Sequence, residues 1–204
     1  MKNILLRSRL LGFAVGLLLA APALWSCNSQ STYQKQLAEH ENQLKAIDED
    51  TIQHYLARNN LTSKATRTNS GLYVVTLTQG TGTPVTAGRQ VRLKYLGRFL
   101  SNGAHPASTG YPASYGNANF PQGTIFDNSA DHDLTCGCTV FTAGGNNVAG
   151  FNEGLLLMRQ GDRKLLLIPS RLAYGTSGQA TASGAVVIPS DSALMFDIEV
   201  LDVF

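Results

Sequence analysis

Two stretches in the second half of the chain alternate strictly between apolar and polar residues. VRLKYLGRF at 91–99 puts three apolar residues on one face and an arginine and a lysine on the other, and ALMFDIEV at 193–200 repeats the pattern. A period of two predicts strands with one buried face, as in an antiparallel sheet. The shorter apolar runs LYVVTL at 72–77 and KLLLI at 164–168 predict two further strands.

One segment between these strands has helical periodicity. In GFNEGLLLMRQG at 150–161, Phe151 and Leu155 share an apolar face, and glycine stands at both ends. One short helix among antiparallel strands indicates an α+β fold, in which a curved antiparallel sheet wraps around that helix. Two segments rich in small and polar residues, 104–122 and 178–186, have no period and predict surface loops.

The segment at 33–60 is mostly polar but repeats apolar residues at helical spacing, without proline or glycine. Because its apolar stripe is thin, we predict a solvated spacer helix ahead of the sheet domain. A dimerisation helix is the alternative. With the linker that follows, this segment divides the chain into a leader (1–26), a leash, spacer and linker (27–70) and a sheet domain (71–204).

The leader has the pattern of an export signal. Lys2, Arg7 and Arg9 precede the apolar run Leu10–Ala20, which is shorter than the about 20 residues of a membrane span. The LWSC that ends at Cys27 resembles the lipobox of bacterial lipoproteins, which implies cleavage before Cys27 and lipidation of its sulfur. An ordinary signal peptide cut near APA is the alternative. We expect a lipid-anchored protein of the cell envelope, held at the bacterial outer membrane and facing the periplasm.

Charge gives no reason to expect a nucleic-acid partner. The formal net charge is +2, but three of the 16 basic residues lie in the leader. Without them the chain has 13 basic residues against 14 acidic ones, so its charge is near −1.

The sequence DHDLTCGC at 131–138 holds the candidate metal ligands, because His132 is the histidine that lies close to other ligand types. C-x-C beside a histidine is not a strong zinc spacing, and an oxidising compartment favours a disulfide between Cys136 and Cys138. Free thiols and a metal site at His132 are the alternatives. No G-x-S-x-G context and no phosphate-binding glycine loop is present, so hydrolysis and phosphoryl transfer are not expected. We expect no bound metal and no cofactor.

From Gly71 to Phe204 the chain resembles FKBP-type peptidyl-prolyl cis-trans isomerases. The matching stretches are VRLKYLG, FDNS, GFNEGLLLMRQGDRKLLLIPSRLAYG and IPSDSALMFDIEVL, in the family's order. The family fold, a curved antiparallel sheet around a short helix, agrees with the pattern above. The resemblance implies an isomerase that acts on proline-containing polypeptides, here exported proteins. A peptide-binding or chaperone module on the same fold, with little or no catalysis, is the alternative.

The resemblance also implies which residues form the pocket. Those implied to act in catalysis are Tyr95, Phe126, Asp127, Tyr174 and Ile188, and those implied to bind substrate are Val148, Phe151 and Phe196. The Tyr174 hydroxyl and the Ile188 N–H are implied to donate hydrogen bonds to the bound segment. Asp127 is implied to accept a hydrogen bond from the Tyr95 hydroxyl.

Five features depart from the family pattern, and one of them is that the segment TVFTAGGNNVAG at 139–150 is one residue shorter. Phe151 stands where some members have a tryptophan, and His132 stands where some have an arginine. The aromatic residue that usually precedes the segment before the helix has Cys138 or Val140 as its nearest counterpart. Both surface loops are longer than in the minimal domain.

Overall fold

The computed structural model describes residues 31–132 and 134–204, so the leader and Cys27 lie outside the described residues. The helices are α1 (Thr32–Arg58) and α2 (Ala149–Leu156). The strands are β1 (Ala65–Arg67), β2 (Tyr73–Thr78), β3 (Gln90–Phe99), β4 (Ala104–His105), β5 (Ser114–Tyr115), β6 (Ile125–Asn128), β7 (Thr139–Thr142), β8 (Arg163–Ile168), β9 (Gln179–Ala180), β10 (Val186–Ile188) and β11 (Leu194–Val203).

Seven strands form one antiparallel sheet in the order β1-β2-β8-β11-β3-β6, with β7 also paired to β3. The two alternating sequences, β3 and β11, are neighbours near its centre, where Phe196 lies opposite Gly97. The helix α2 packs closely on this sheet, because a Cβ on Gly154 would collide with the Leu166 side chain of β8. The predicted α+β fold, a sheet around one short helix, is confirmed.

Apolar side chains cover both faces of the sheet. On one face, α2 packs with a core that includes Leu166 and Ile168 of β8. The alternate β8 residues Leu165 and Leu167 point to the other face and pack against α1. Four successive apolar residues of β8, 165–168, are therefore buried. A strand covered on both faces needs a continuous apolar run, which explains why KLLLI does not alternate.

The predicted N-terminal helix is confirmed, but the prediction that this helix is solvated is wrong. The helix α1 buries every fourth residue along one stripe, namely His40, Leu44, Asp48, Ile52 and Leu56. Ile52 and Leu56 are 0% and 1% exposed and lie against the sheet. Burial of one such aliphatic side chain contributes about 1.5–3 kcal/mol relative to exposure. Residues 36–204 form one compact unit that includes this part of the helix.

Asp48, one of the two polar residues in this buried stripe, has its partner far along the chain. Asp48 Oδ2 accepts hydrogen bonds from the Ser170 N–H at 2.8 Å and from the Ser170 hydroxyl at 2.7 Å. Burial raises the pKa of Asp48 to about 6, although the bonds from Ser170 act in the opposite direction. These bonds satisfy a carboxyl group that would otherwise be costly to bury.

The two predicted surface loops each contain a short hairpin, in which β4 pairs with β5 and β9 with β10. The first loop, 104–122, is held against α1. His40 Nδ1 lies 3.0 Å from the Ser108 hydroxyl, and the His40 ring stacks on Tyr111 with centroids 4.1 Å apart. The loop is therefore part of the packing around the helix.

Candidate active site

A cavity of about 410 Å³ is bordered by α2 and by strands of the central sheet. Its aromatic lining consists of Tyr95, Phe141, Phe151, Tyr174 and Phe196, and its remaining lining of Asp127, Asn146, Asn147, Val148 and Gln179. Tyr95 and Phe196 are inward residues of the alternating strands β3 and β11. Phe151 belongs to the first turn of α2 and is 3% exposed.

Phe196 is at the centre of a cluster of aromatic rings. Its ring centroid lies 5.2 Å from Phe151, 5.5 Å from Phe126 and 6.0 Å from Tyr95. The first two pairs meet at 73° and 88°, the edge-to-face arrangement that aromatic rings favour. A Cβ on Gly97 would lie 2.8 Å from Phe126 Cζ and 3.1 Å from Phe196 Cε1. Glycine at position 97 therefore leaves the space that these two rings occupy.

Tyr95, Asp127 and His132 form a hydrogen-bonded group at the edge of the cavity. The Tyr95 hydroxyl donates to Asp127 Oδ2 at 2.6 Å. His132 Nε2 lies 3.0 Å from the Tyr95 oxygen and 3.2 Å from Asp127 Oδ1. Because the Tyr95 proton already points to Asp127, we assign the hydrogen of this contact to His132 Nε2. Burial raises the pKa of Tyr95, and the bond to Asp127 raises it further, so this phenol stays protonated.

The Tyr174 hydroxyl has a different environment. Within 31–132 and 134–204 it has no hydrogen-bond partner, although its side chain lines the cavity and packs against the core. Burial raises the pKa of Tyr174, and the charge of Asp127 adds to this effect. The cavity is thus lined by a protonated hydroxyl that is free to donate to a bound molecule.

The comparisons with known proteins agree with this geometry. A family model described as FKBP-type peptidyl-prolyl cis-trans isomerase matches residues 82–201. The chain belongs to this family. It is 30% identical over 134 residues to the FK506-binding protein of Neisseria meningitidis, covering 66% of this chain and 97% of that protein. It is 41% identical over 85 residues to the peptidyl-prolyl cis-trans isomerase FKBP9 of Bos taurus, but there it spans only 14% of the relative's length.

Two solved structures show the same FKBP fold. Escherichia coli FkpA has a TM-score of 0.54 at 21% identity, over 100% of this chain and 73% of that chain. A peptidyl-prolyl cis-trans isomerase from Pseudomonas syringae has a TM-score of 0.53 at 22% identity, over 78% of this chain and 95% of that chain. At these identities the likeness establishes the architecture.

The structure brings most of the residues expected from the FKBP resemblance to one cavity. Those that line it are Tyr95, Asp127, Val148, Phe151, Tyr174 and Phe196. Phe126 is not among the lining residues, because its ring packs between Phe196 and Phe99, with centroids 5.5 Å and 5.1 Å away. Ile188 is 2% exposed and lines a neighbouring cavity of about 270 Å³, which shares Gln179 with the first.

Phe141 lines the cavity but is not among the residues that the sequence predicts. The sequence offers Cys138 or Val140 as the nearest counterpart of the family aromatic, whereas the structure places the Phe141 ring 5.7 Å from Tyr95 and 5.1 Å from Phe151. The signal was the alternation in TVFT, because β7 turns Val140 outward and Phe141 toward the cavity. The polar lining residues Asn146, Asn147 and Gln179 were not predicted as site residues.

A disulfide joins Cys136 to Cys138 next to the Tyr95 wall of the cavity. Between these cysteines, the Gly137 carbonyl accepts a hydrogen bond from the Ser129 hydroxyl at 2.8 Å. The same hydroxyl accepts from the Tyr95 N–H at 3.0 Å. The bridged loop is therefore connected to the backbone of Tyr95 through a single side chain.

Proposed function

We propose that this chain catalyses cis-trans isomerisation of X-Pro peptide bonds in exported proteins, while a lipid at Cys27 anchors it to a bacterial membrane. The observation that carries the catalytic part is an aromatic cavity lined by the unpaired hydroxyl of Tyr174. Rotation about a peptide bond has a barrier of about 18–20 kcal/mol. Because no covalent bond breaks, the reaction requires no nucleophile.

The aromatic lining suits this reaction because it excludes water from the amide. Water stabilises the planar amide, which has the larger dipole, more than the twisted amide, so an apolar environment lowers the barrier. A site that binds the twisted state more tightly than either planar isomer accelerates the rotation. In this mechanism the proline ring packs on Phe151 and Phe196, and the Tyr174 hydroxyl donates a hydrogen bond to the bound segment.

Tyr95 has a different part in this mechanism from Tyr174. Its hydrogen is committed to Asp127, and its oxygen accepts from His132. Tyr95 therefore contributes a fixed wall to the cavity and is not a hydrogen-bond donor to the substrate. Asp127 and His132 hold that wall in place.

The anchor and the location in the cell envelope rest on the sequence of the leader. Among the described residues no helix combines the length and apolar character that a bilayer span requires. Replacement of Cys27 by serine should release the mature protein from membranes or leave it unprocessed, as measured by fractionation and intact mass. Equal fractionation and identical processing of parent and variant would refute lipidation at Cys27.

A peptide-binding module with little catalysis is the second candidate. The polar residues that line the cavity, Asn146, Asn147 and Gln179, favour it, because they offer hydrogen bonds to a peptide in either planar state. Binding planar and twisted states equally well gives affinity without acceleration.

The deciding experiment measures isomerisation of a short X-Pro peptide by exchange NMR, with the full chain as catalyst. The parent should accelerate exchange, and Phe151→Leu, which keeps an apolar side chain but removes the aromatic floor, should lower kcat/KM at least about tenfold. Leu157→Ala is the control, because Leu157 is 49% exposed at the end of α2 and does not line the cavity. If the folded parent binds the peptide but does not accelerate cis-trans exchange, the isomerase proposal is wrong and the chain is a peptide-binding module.

A further inference from the structure

We propose that His40, His105 and Asp191 form a binding site for a divalent transition-metal ion such as Zn²⁺, separate from the isomerase cavity. These residues come from α1, from β4 and from the turn before β11. One ligand atom from each lies within 4.8 Å of the others. Their side chains are 0%, 6% and 6% exposed. No sequence motif connects them, because His40 and Asp191 are 151 residues apart.

The hydrogen bonds of His105 indicate that a cation belongs beside it. Its Nδ1 lies 2.8 Å from the Pro106 carbonyl, which can only accept, so Nδ1 carries the hydrogen. Its Nε2 lies 3.3 Å from Asp191 Oδ2. A neutral His105 would therefore turn a nitrogen lone pair toward a carboxylate in a buried site. A metal ion between the two groups removes this repulsion and uses both lone pairs.

His40 has the matching arrangement. Its Nε2 lies 3.1 Å from the same Asp191 Oδ2, and its Nδ1 lies 3.0 Å from the Ser108 hydroxyl. Metal-binding histidines commonly have one ring nitrogen on the ion and the other held by a protein oxygen. The stack on Tyr111, with centroids 4.1 Å apart, further fixes the His40 ring.

Two buried oxygen atoms at this place have no partner. Asp191 Oδ1 and Ser192 Oγ make no hydrogen bond within the described residues, although Asp191 and Ser192 are only 6% and 2% exposed. An unsatisfied buried polar atom costs about 1–3 kcal/mol, more if the group is charged. Asp191 also has a left-handed backbone with φ 58°, which is uncommon outside glycine. An ion bound by Asp191 would balance the charge of this buried carboxylate.

The donor set points to the class of ion. Two imidazole nitrogens and one carboxylate oxygen suit Zn²⁺ and its neighbours, whereas Mg²⁺ and Ca²⁺ prefer oxygen ligands. Tetrahedral ligands 2.0–2.1 Å from zinc are about 3.3 Å apart. Two of the three ligand separations are close to this value, namely 3.1 Å and 3.3 Å from the histidine nitrogens to Asp191 Oδ2, and all three are within 4.8 Å.

The site would connect three parts of the domain that are far apart in sequence. It joins α1 to the 104–122 loop through His40 and His105, and both of these to the turn before β11 through Asp191. The Asp191 N–H donates to the Gly175 carbonyl at 2.8 Å, and Gly175 follows the cavity residue Tyr174. A bound ion would thus brace the helix and the segment behind the isomerase cavity.

Calorimetric titration of the chelator-treated full chain with Zn²⁺ tests the proposal. The parent should bind one more equivalent of Zn²⁺ than Asp191→Asn does. Excess Mg²⁺ should not displace this Zn²⁺. The asparagine in this variant keeps the shape of the side chain and tolerates the left-handed backbone. His105→Gln provides a second variant with the same expected loss should Asp191→Asn fail to fold. Ser108→Ala should weaken the site by about tenfold, as loss of an outer hydrogen bond to a metal ligand does.

His54→Gln is the matched control, because His54 lies on the same helix but its side chain is 66% exposed. This variant should keep the parent's equivalent of zinc, and added zinc should raise Tm in the parent and in His54→Gln but not in Asp191→Asn. The proposal fails if the parent takes up no zinc at micromolar concentration. It also fails if Asp191→Asn and His105→Gln both bind as much zinc as the parent.

Discussion

Replacing Tyr174 with phenylalanine separates the catalytic use of its hydroxyl from a structural one. The change removes one oxygen atom and breaks no internal hydrogen bond of the described residues. A neutral hydrogen bond contributes about 0.5–1.5 kcal/mol. If the Tyr174 hydroxyl donates to the substrate in the twisted state, kcat/KM falls about two- to tenfold. The free energy of unfolding should change by no more than about 0.5 kcal/mol, as for substitutions that disturb no internal contact.

Tyr73→Phe is the matched control on the other face of the sheet. The Tyr73 hydroxyl donates to Glu49 Oε1 and accepts from Gln53 Nε2 at 2.7 Å, and both partners belong to α1. Its loss removes two internal hydrogen bonds, so the free energy of unfolding should fall by about 1–3 kcal/mol. Since Tyr73 does not line the cavity, kcat/KM should be unchanged.

The assay measures kcat/KM on an X-Pro peptide and thermal unfolding for the parent and both variants. We expect opposite outcomes, with Tyr174→Phe less active at unchanged Tm and Tyr73→Phe less stable at unchanged turnover per folded molecule. If Tyr174→Phe instead lowers Tm and retains full turnover, Tyr174 is an ordinary core residue and its hydroxyl does not act on the substrate.

Three further changes test the packing of α1, its buried carboxyl group and the disulfide. Ile52→Ala should lower the free energy of unfolding in a denaturant titration by about 2–5 kcal/mol, because Ile52 is fully buried; a change below about 1 kcal/mol would contradict this packing. In metal-free protein, burial raises the pKa of Asp48 to about 6 from 3.8, so the folded state binds its proton more tightly. Stability should therefore fall by roughly 3 kcal/mol as pH rises from about 4 to about 6, and Asp48→Asn should remove this part of the pH profile; an unchanged profile would exclude Asp48 as its source. Reduction of the Cys136–Cys138 bond should lower stability by no more than about 2 kcal/mol, because the closed loop is very short, and global unfolding on reduction would contradict this.

The sequence predicts the parts of the fold in which a single period dominates. The strict alternation in β3 and β11 predicts two half-buried strands, and they pair with each other near the centre of the sheet. Tyr95 and Phe196 follow from the same alternation, and the family resemblance adds Phe151 and Tyr174 to the same cavity. Phe141 was missed because the alternation in TVFT extends over only four residues, which makes it a weak signal.

The packing of α1 could not be predicted because its buried stripe includes His40 and Asp48. Polar residues are buried when they have partners, and the partners here are distant in sequence. Ser108 lies 68 residues after His40, and Ser170 lies 122 residues after Asp48. Local periodicity contains no information about such contacts. With two polar residues among its buried positions, the apolar stripe of α1 looks as thin as that of a solvated helix.

The cover that α1 provides for the sheet determines where the chain can be shortened without loss of folding. A chain trimmed to begin at Gly71 would match the extent of the family resemblance, yet it would lose Ile52 and Leu56 from the apolar cluster on that face. The uncovered residues would include Tyr73 and Leu167, and exposed apolar patches of this kind promote self-association. Recombinant expression, ligand screening or fusion to another protein should therefore keep the helix as part of the folding unit.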